Sequence, residues 1–474
     1  MSPREPVDYL LNGVVITMDD SNRIIREGCV AVNDGRILAV GRKSEIEENY
    51  MADRSLGGPD CFVTPGFIDC HNHLAQALVR EFGMEDLPNI YRIYIPCEIA
   101  MDADDARISA SVMISQLLRA GVTTVAETTC TAVHEDMIAD TIMQSGMRAV
   151  MARGQGDRKT TFASNYDQVN CKTTHEDDPG KLVEDLARCE EFIKQWQAKG
   201  DGRLIPWIHT MGLPACSDER FLQTRELAEK YNTGITTHIN RDREEIEISM
   251  ATHGERPLEH LNTIGALWPG YVAIHAMLTT DREIQMLAAN GVKVAHSPVA
   301  CTDIISAVTR VVSMRSAGVT VGLGCDTVIN DIIKVMRIAF IMHTQANGIP
   351  LYDPVSFTTE HAFEMATLEA AKTLGLDQEI GSLETGKKAD VVVMDANNVR
   401  LSPYHNPIGV IVQYGTGTDV TDVLVDGKQV VENGQLVNLD EIVVLEEARK
   451  LSDRLRPALE ARRYRPLTQY STVC

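Results

Sequence analysis

Eight times between residues 63 and 374 the chain repeats one texture, a short apolar run rich in β-branched residues accompanied by a longer segment with helical periodicity. The runs fall at 62–68, 122–126, 149–152, 204–208, 235–237, 271–274, 292–295 and 319–323. Runs without polar alternation suit strands covered on both faces, and strands that alternate with helices build a parallel sheet. Eight such units close into a (β/α)8 TIM barrel, so the expected class is α/β. A barrel also fixes where chemistry belongs, at the C-terminal ends of its strands, where the βα loops converge.

The two chain ends read differently. Residues 8–18, 29–32 and 36–40 are short β-branched runs, with turn signals at Asn12-Gly13 and Asn33-Asp34-Gly35 that predict hairpins. Beyond the barrel, 389–394 and 423–431 are strand-like again and include the turn pair Asp426-Gly427. A small β-sandwich built from both chain ends accounts for them. The expected divisions are an N-terminal sandwich part (1–62), a metal-dependent barrel (63–376), a C-terminal sandwich part (377–437) and a terminal helix with its tail (438–474). That helix is expected to pack on the rest of the chain or to meet a second subunit, in a homodimer or higher homo-oligomer.

With 45 Lys and Arg against 67 Asp and Glu, the net charge of −22 argues against nucleic acid and anionic membrane as partners and leaves a small-molecule substrate. No basic segment followed by an apolar one opens the chain, and no apolar run is long enough to span a bilayer. The eleven cysteines contain no CxxC pair. A cytoplasmic protein with reduced thiols is therefore expected.

The first barrel run ends in His71-Asn72-His73, and on a strand the i, i+2 spacing turns both imidazoles to one face. Two imidazoles are too few for a metal site, and the ends of later runs supply more: His238, His275 and Asp326. His71, His73, His238 and Asp326 offer three nitrogens and a carboxylate. That set suits one divalent ion per chain, Zn2+ first, with Fe2+, Co2+ or Mn2+ as the other candidates, and leaves room for water. A single histidine at one strand end is cheap by chance, but this coincidence at four strand ends is not. His296, at the end of the seventh run, either orients a neighbour or touches substrate. Residues 81–101, with Pro88, Tyr91, Tyr94, Pro96 and Cys97, suit a cavity wall in which Tyr91 meets substrate, and the polar stretch 154–178, with Asp157, Arg158, Asn165, Tyr166 and His175, suits a long loop reaching substrate or a second subunit.

Residues 65–73 (PGFIDCHNH), 121–125 (GVTTV), Thr237-His238, His275, His296-Ser297-Pro298 and Gly324-Cys325-Asp326, followed by 381–390 (GSLETGKKAD) and 425–428 (VDGK), resemble the signature series of the amidohydrolase superfamily. The nearest branch is the mononuclear one containing s-triazine hydrolases, S-adenosylhomocysteine-type deaminases and guanine deaminases. The resemblance implies that His71, His73, His238 and Asp326 hold the metal, that Asp326 also carries a proton from water to the leaving group, and that His275 polarises substrate or water. Two departures matter. The branch usually has a glutamate three residues after the fifth-strand histidine, to protonate a ring nitrogen, and Arg241 stands there. Its nucleoside deaminases carry a histidine five residues before Cys216-Ser217-Asp218-Glu219, where this chain has Met211 and offers His209 two residues earlier.

Arg241 presents a planar, permanently charged fork suited to a substrate carboxylate or carbonyl oxygen, or else it pairs with Glu244. Glu244, Glu245 and Glu247 read as the exposed face of the following helix. The expected activity is metal-dependent hydrolysis of a C–N or C–X bond in an amide, urea, carbamate or s-triazine. The alternatives are deamination of a purine, pterin or triazine, and a catalytically silent binding or assembly protein.

Overall fold

The computed structural model describes residues 4–84, 86, 89–128, 134–154, 156–159, 176–302, 307–464 and 466–468, without the side chains of Tyr91 and Lys159. The N-terminal part contributes β1 (Glu5–Ile16), β2 (Ile24–Asn33), β3 (Arg36–Arg42) and β4 (Tyr50–Pro65). The barrel strands begin with β5 (Phe67–Asn72), β6 (Val122–Thr128) and β7 (Arg148–Arg153), after which β8 (Arg158–Lys159) and β9 (Glu176–Asp177) form a small antiparallel pair. They continue with β10 (Leu204–Thr210), β11 (Ile235–Ile239), β12 (Tyr271–His275), β13 (Lys293–His296) and β14 (Val321–Leu323). The C-terminal part adds β15 (Val391–Asp395), β16 (Val420–Val425), β17 (Lys428–Glu432) and β18 (Gln435–Leu436).

Every residue of β5, β6 and β7 is buried, the condition that their unbroken apolar runs predicted. The barrel strands follow one another in parallel from β5 to β14. At the mouth the circle is drawn together by Asp326 N–H donating to the His71 carbonyl at 2.9 Å and Cys325 N–H donating to Asp69 Oδ1 at 2.8 Å. Asp69 also accepts from the His71 N–H at 3.2 Å, so one buried carboxylate ties the first and last strand ends to each other.

The strands of both chain ends lie in one eight-stranded sheet, ordered β18-β17-β16-β15-β4-β1-β2-β3. Its two halves meet where β15 pairs antiparallel with the end of β4, Val391 opposite Pro65. Beneath that seam Arg148, buried at the start of β7, donates to Asp390 at 3.0 and 3.2 Å and to Asp426 at 2.5 Å, fastening barrel to sheet.

Two expectations are corrected. The run 62–68 is two strands: β4 ends at Pro65, and the chain passes into the barrel at Gly66, where a Cβ would stand 2.2 Å from Thr123 Oγ1. Asn12-Gly13 is not a turn. β1 continues through it, with a shift in register between Gly13 and Val15, because a Cβ on Gly13 would lie 2.4 Å from the Cys61 carbonyl oxygen of the adjacent β4. The other two turn signals do make hairpins, with Asp34 and Gly35 at φ 53 and 76° and Asp426 and Gly427 at φ 49 and 69°.

The terminal helix Glu441–Glu460 buries Ala448, Leu451, Leu455 and Leu459, a stripe at helical spacing, against Val79, Phe82, Ile93, Tyr94 and Cys97 of the segment after β5. No helix among the described residues is long and apolar enough to cross a membrane.

Candidate metal centre and its cavity

Three strand ends bring imidazoles together, and a fourth adds a carboxylate. The ring of His71 lies 4.7 Å from that of His73, 5.0 Å from His238 and 5.1 Å from His275, centroid to centroid. Asp326 Oδ2 lies 3.9 Å from His71 Nε2 and 3.8 Å from His275 Nε2. Two overlapping sets of donor atoms are mutually within 4.8 Å: His71 with His238 and His275, and His71 with His73 and Asp326. His275 and Asp326 reach this position from left-handed backbone, at φ 69 and 55°, a conformation costly for residues with side chains and concentrated at functional sites.

The donor set fits a metal. His71 is fully buried, and neither ring nitrogen has a protein partner among the described residues. His73 Nδ1 lies 2.6 Å from the Thr128 carbonyl oxygen, so it carries the proton and the ring's acceptor lone pair falls on Nε2. Burial, with repulsion from neighbouring imidazoles, pushes His71 and His238 well below the usual histidine range, and burial does the same to His275. Neutral imidazoles are what a divalent ion binds. Asp326 Oδ1 accepts from Thr327 N–H at 2.6 Å, and the Thr327 hydroxyl bridges toward Gln76 Oε1 at 2.8 Å.

The cavity over this cluster is lined by His73, His209, His238, His275 and Asp326, by Gln76, Arg241 and Thr327, and by an apolar wall of Ile90, Tyr94, Ile95 and Met211. His209 therefore stands in the wall. Arg241 does too, but its side chain binds Asp242, with Nε at 2.7 Å and Nη2 at 2.5 Å, and not Glu244. His296 does not line the cavity. It is buried one layer away, its Nε2 2.9 Å from His343 Nε2. Of the wall expected from 81–101, Ile90, Tyr94 and Ile95 take part, while Pro88 and the Tyr91 side chain lie outside the described residues. Of 154–178, Asn165, Tyr166 and His175 lie outside them as well. Asp157 and Arg158 serve the loop after β10: Asp157 accepts from Ser217 N–H at 2.8 Å, and Arg158 donates to the Leu213 carbonyl at 2.7 Å.

Glu245 corrects the reading of its helix, Arg243–His253. It is buried, not exposed. Oε2 accepts from the Arg241 N–H at 2.9 Å and Oε1 has no partner among the described residues. Burial, reinforced by Asp242, raises its carboxyl to about 8. Gln76 and Thr327 were missed because nothing marks them except their places, three residues after His73 and one after Asp326.

The deaminase of 5-methylthioadenosine and S-adenosylhomocysteine from Pelotomaculum thermopropionicum is 29% identical over 462 residues, covering 94% of this chain and 99% of that protein. An adenosine deaminase from Xanthomonas campestris with bound zinc superposes with a TM-score of 0.86 at 25% identity, covering 96% of this chain and 100% of that one. A zinc-complexed atrazine chlorohydrolase from Arthrobacter aurescens shares the fold at a TM-score of 0.82 and 21% identity, over 94% and 100% of the two chains. The model of the amidohydrolase family matches residues 62–436, the whole barrel with the strands that flank it, and the chain belongs to that family.

Proposed function

We propose that this hydrolase uses one divalent ion per chain, zinc in the first place, held by His71, His73, His238 and Asp326, to hydrolyse a carbon–nitrogen bond in a small nitrogen-containing compound of the amide, urea, carbamate or s-triazine type. The observation that carries the reading is the convergence of those four side chains with His275 beneath and along one cavity whose wall includes Arg241. When bound, the ion lowers the pKa of water so that attack is feasible near neutral pH. Asp326, with Oδ1 held by Thr327, keeps Oδ2 facing the imidazoles, where it can take a proton and deliver it to the leaving group. His275, buried and neutral, is placed to polarise the group under attack. Arg241, steadied by Asp242, offers fixed positive charge to a substrate oxygen and cannot act as an acid.

A second reading, deamination of a heterocycle, is favoured by a specific observation. Behind Arg241 sits the buried Glu245, protonated near neutral pH, and the 29% identical relative named above is a deaminase. Metal analysis, combined with a release assay over amides, ureas, carbamates, triazines and purines, tests both. Protein without stoichiometric divalent metal and without turnover on every class would refute them, and ammonia from an aminated heterocycle would select the second.

A further inference from the structure

We infer that His209 meets the substrate as a hydrogen-bond acceptor that cannot donate, so the compound turned over carries an N–H or O–H group on the side facing β10. The inference rests on the functional reading above and adds the polarity of one cavity wall. His209 is fully buried, with Nδ1 3.0 Å from the Thr236 carbonyl oxygen and 3.1 Å from Thr236 Oγ1. A carbonyl oxygen only accepts, so Nδ1 carries the ring proton and Nε2 keeps a bare lone pair.

The residue's position is fixed by two further neighbours, one on its backbone and one on its ring. Arg220, fully buried and paired with Asp185 at 2.7 Å, donates to the His209 carbonyl at 3.4 Å. The His238 ring stands edge-on, 5.1 Å away at 89°. His209 Nε2 has no protein partner among the described residues, and it belongs to neither set of mutually close donor atoms at the metal centre. The residue nonetheless lines the cavity. A buried acceptor left unpaired is costly, so its donor arrives with what enters the cavity. The donor assigned to it is the substrate, and the kinetics below separate it from water. A methyl group in place of that N–H or O–H would press on the lone pair and leave it unpaired, so the wall selects against alkylated analogues.

Two measurements on the zinc-loaded protein test this. 15N NMR of histidine-labelled protein, assigned with His209→Gln, should show Nδ1 protonated and Nε2 bare, and a proton on Nε2 overturns the inference. Kinetics should then compare parent and methylated probes, an amino-s-triazine with its N,N-dialkyl counterpart and an adenine nucleoside with its N- and O-methylated forms. The wild type should disfavour one methylated form by roughly 10- to 100-fold in kcat/KM, and His209→Leu should bring that ratio to about 2 or less. An unchanged ratio in His209→Leu, or an equal loss on every probe with a shifted pH profile, overturns the inference and assigns the lone pair to water. An Nδ1-protonated ring without turnover of any parent probe supports the assignment of the lone pair and overturns only the reaction class.

Discussion

Removing the divalent ion should lower the melting temperature of the whole molecule by an amount that can be worked out in advance. Without metal, His71 is a fully buried imidazole with both nitrogens unpartnered, and His275 Nδ1 is unpartnered as well. An unsatisfied buried group costs about 1–3 kcal/mol, and an ion held by one His71 nitrogen recovers one such cost, leaving the second nitrogen and His275 as they are. Expressed as linkage, free metal at about a thousand times its dissociation constant stabilises the native state by about 4 kcal/mol. An unfolding entropy of about 2.1 cal/mol/K per residue gives about 1 kcal/mol/K for a chain of 474 residues. The expected shift is therefore about 4 °C. Calorimetry of chelator-treated protein, titrated with Zn2+ while bound metal is counted by mass spectrometry, measures it. His71→Leu removes a ligand and both orphan atoms together, so it should melt at or above the metal-free wild type and show little response to zinc. A wild-type shift below about 1 °C at saturating zinc, or an equal shift in the His71→Leu, His238→Ala double variant, would refute the reasoning.

Asp326→Asn keeps an oxygen but cannot cycle a proton, so turnover should fall by about 10² or more while metal counting still finds part of the ion, and near-normal turnover would remove the proton-carrying role. Arg241→Ala should weaken transition-state binding by about 1.5–3 kcal/mol in kcat/KM, with Arg241→Lys recovering part of it; Arg241→Glu should abolish hydrolysis, or instead raise ammonia release if the substrate is an aminated heterocycle. Glu245, whose folded pKa of about 8 lies above its unfolded value, destabilises the native state progressively as pH rises through that interval. Glu245→Gln removes this loss, so its melting temperature should gain on wild type between pH 5 and 8 and hold that gain above, and parallel curves would count against a buried carboxyl. The tail beyond the terminal helix grips the segment that supplies part of the cavity wall, with Arg463 donating to the Phe82 and Met84 carbonyls and Tyr464 stacking under Arg92 at 3.8 Å. Arg463→Ala with Tyr464→Ala should raise KM while bound zinc stays constant, and an unchanged KM would confine the tail to packing.

Much of this was legible because it is local. A β-branched run covered on both faces, the residue that ends it, and the two-residue period that pairs His71 with His73 are properties of a few consecutive residues. Eight repeats of one such unit leave little choice of architecture. His238, His275 and Asp326 could be placed at one mouth before their distances were known, since a closed parallel barrel puts every strand's C-terminal end on the same side. What only the tertiary structure decided depends on which chemically permissible partner arrives from far along the chain. Asn12-Gly13 carries the same dipeptide signal as a tight turn, and it became a strand bulge because Cys61 of β4 passes too close for a side chain. Glu245 has the polar neighbours of an exposed helix face, yet the turn of chain at Arg241 covers it. Ile90 and Tyr94 became walls of the cavity where the segment after β5 packs against the terminal helix, and no sequence periodicity records a contact between residues more than three hundred positions apart.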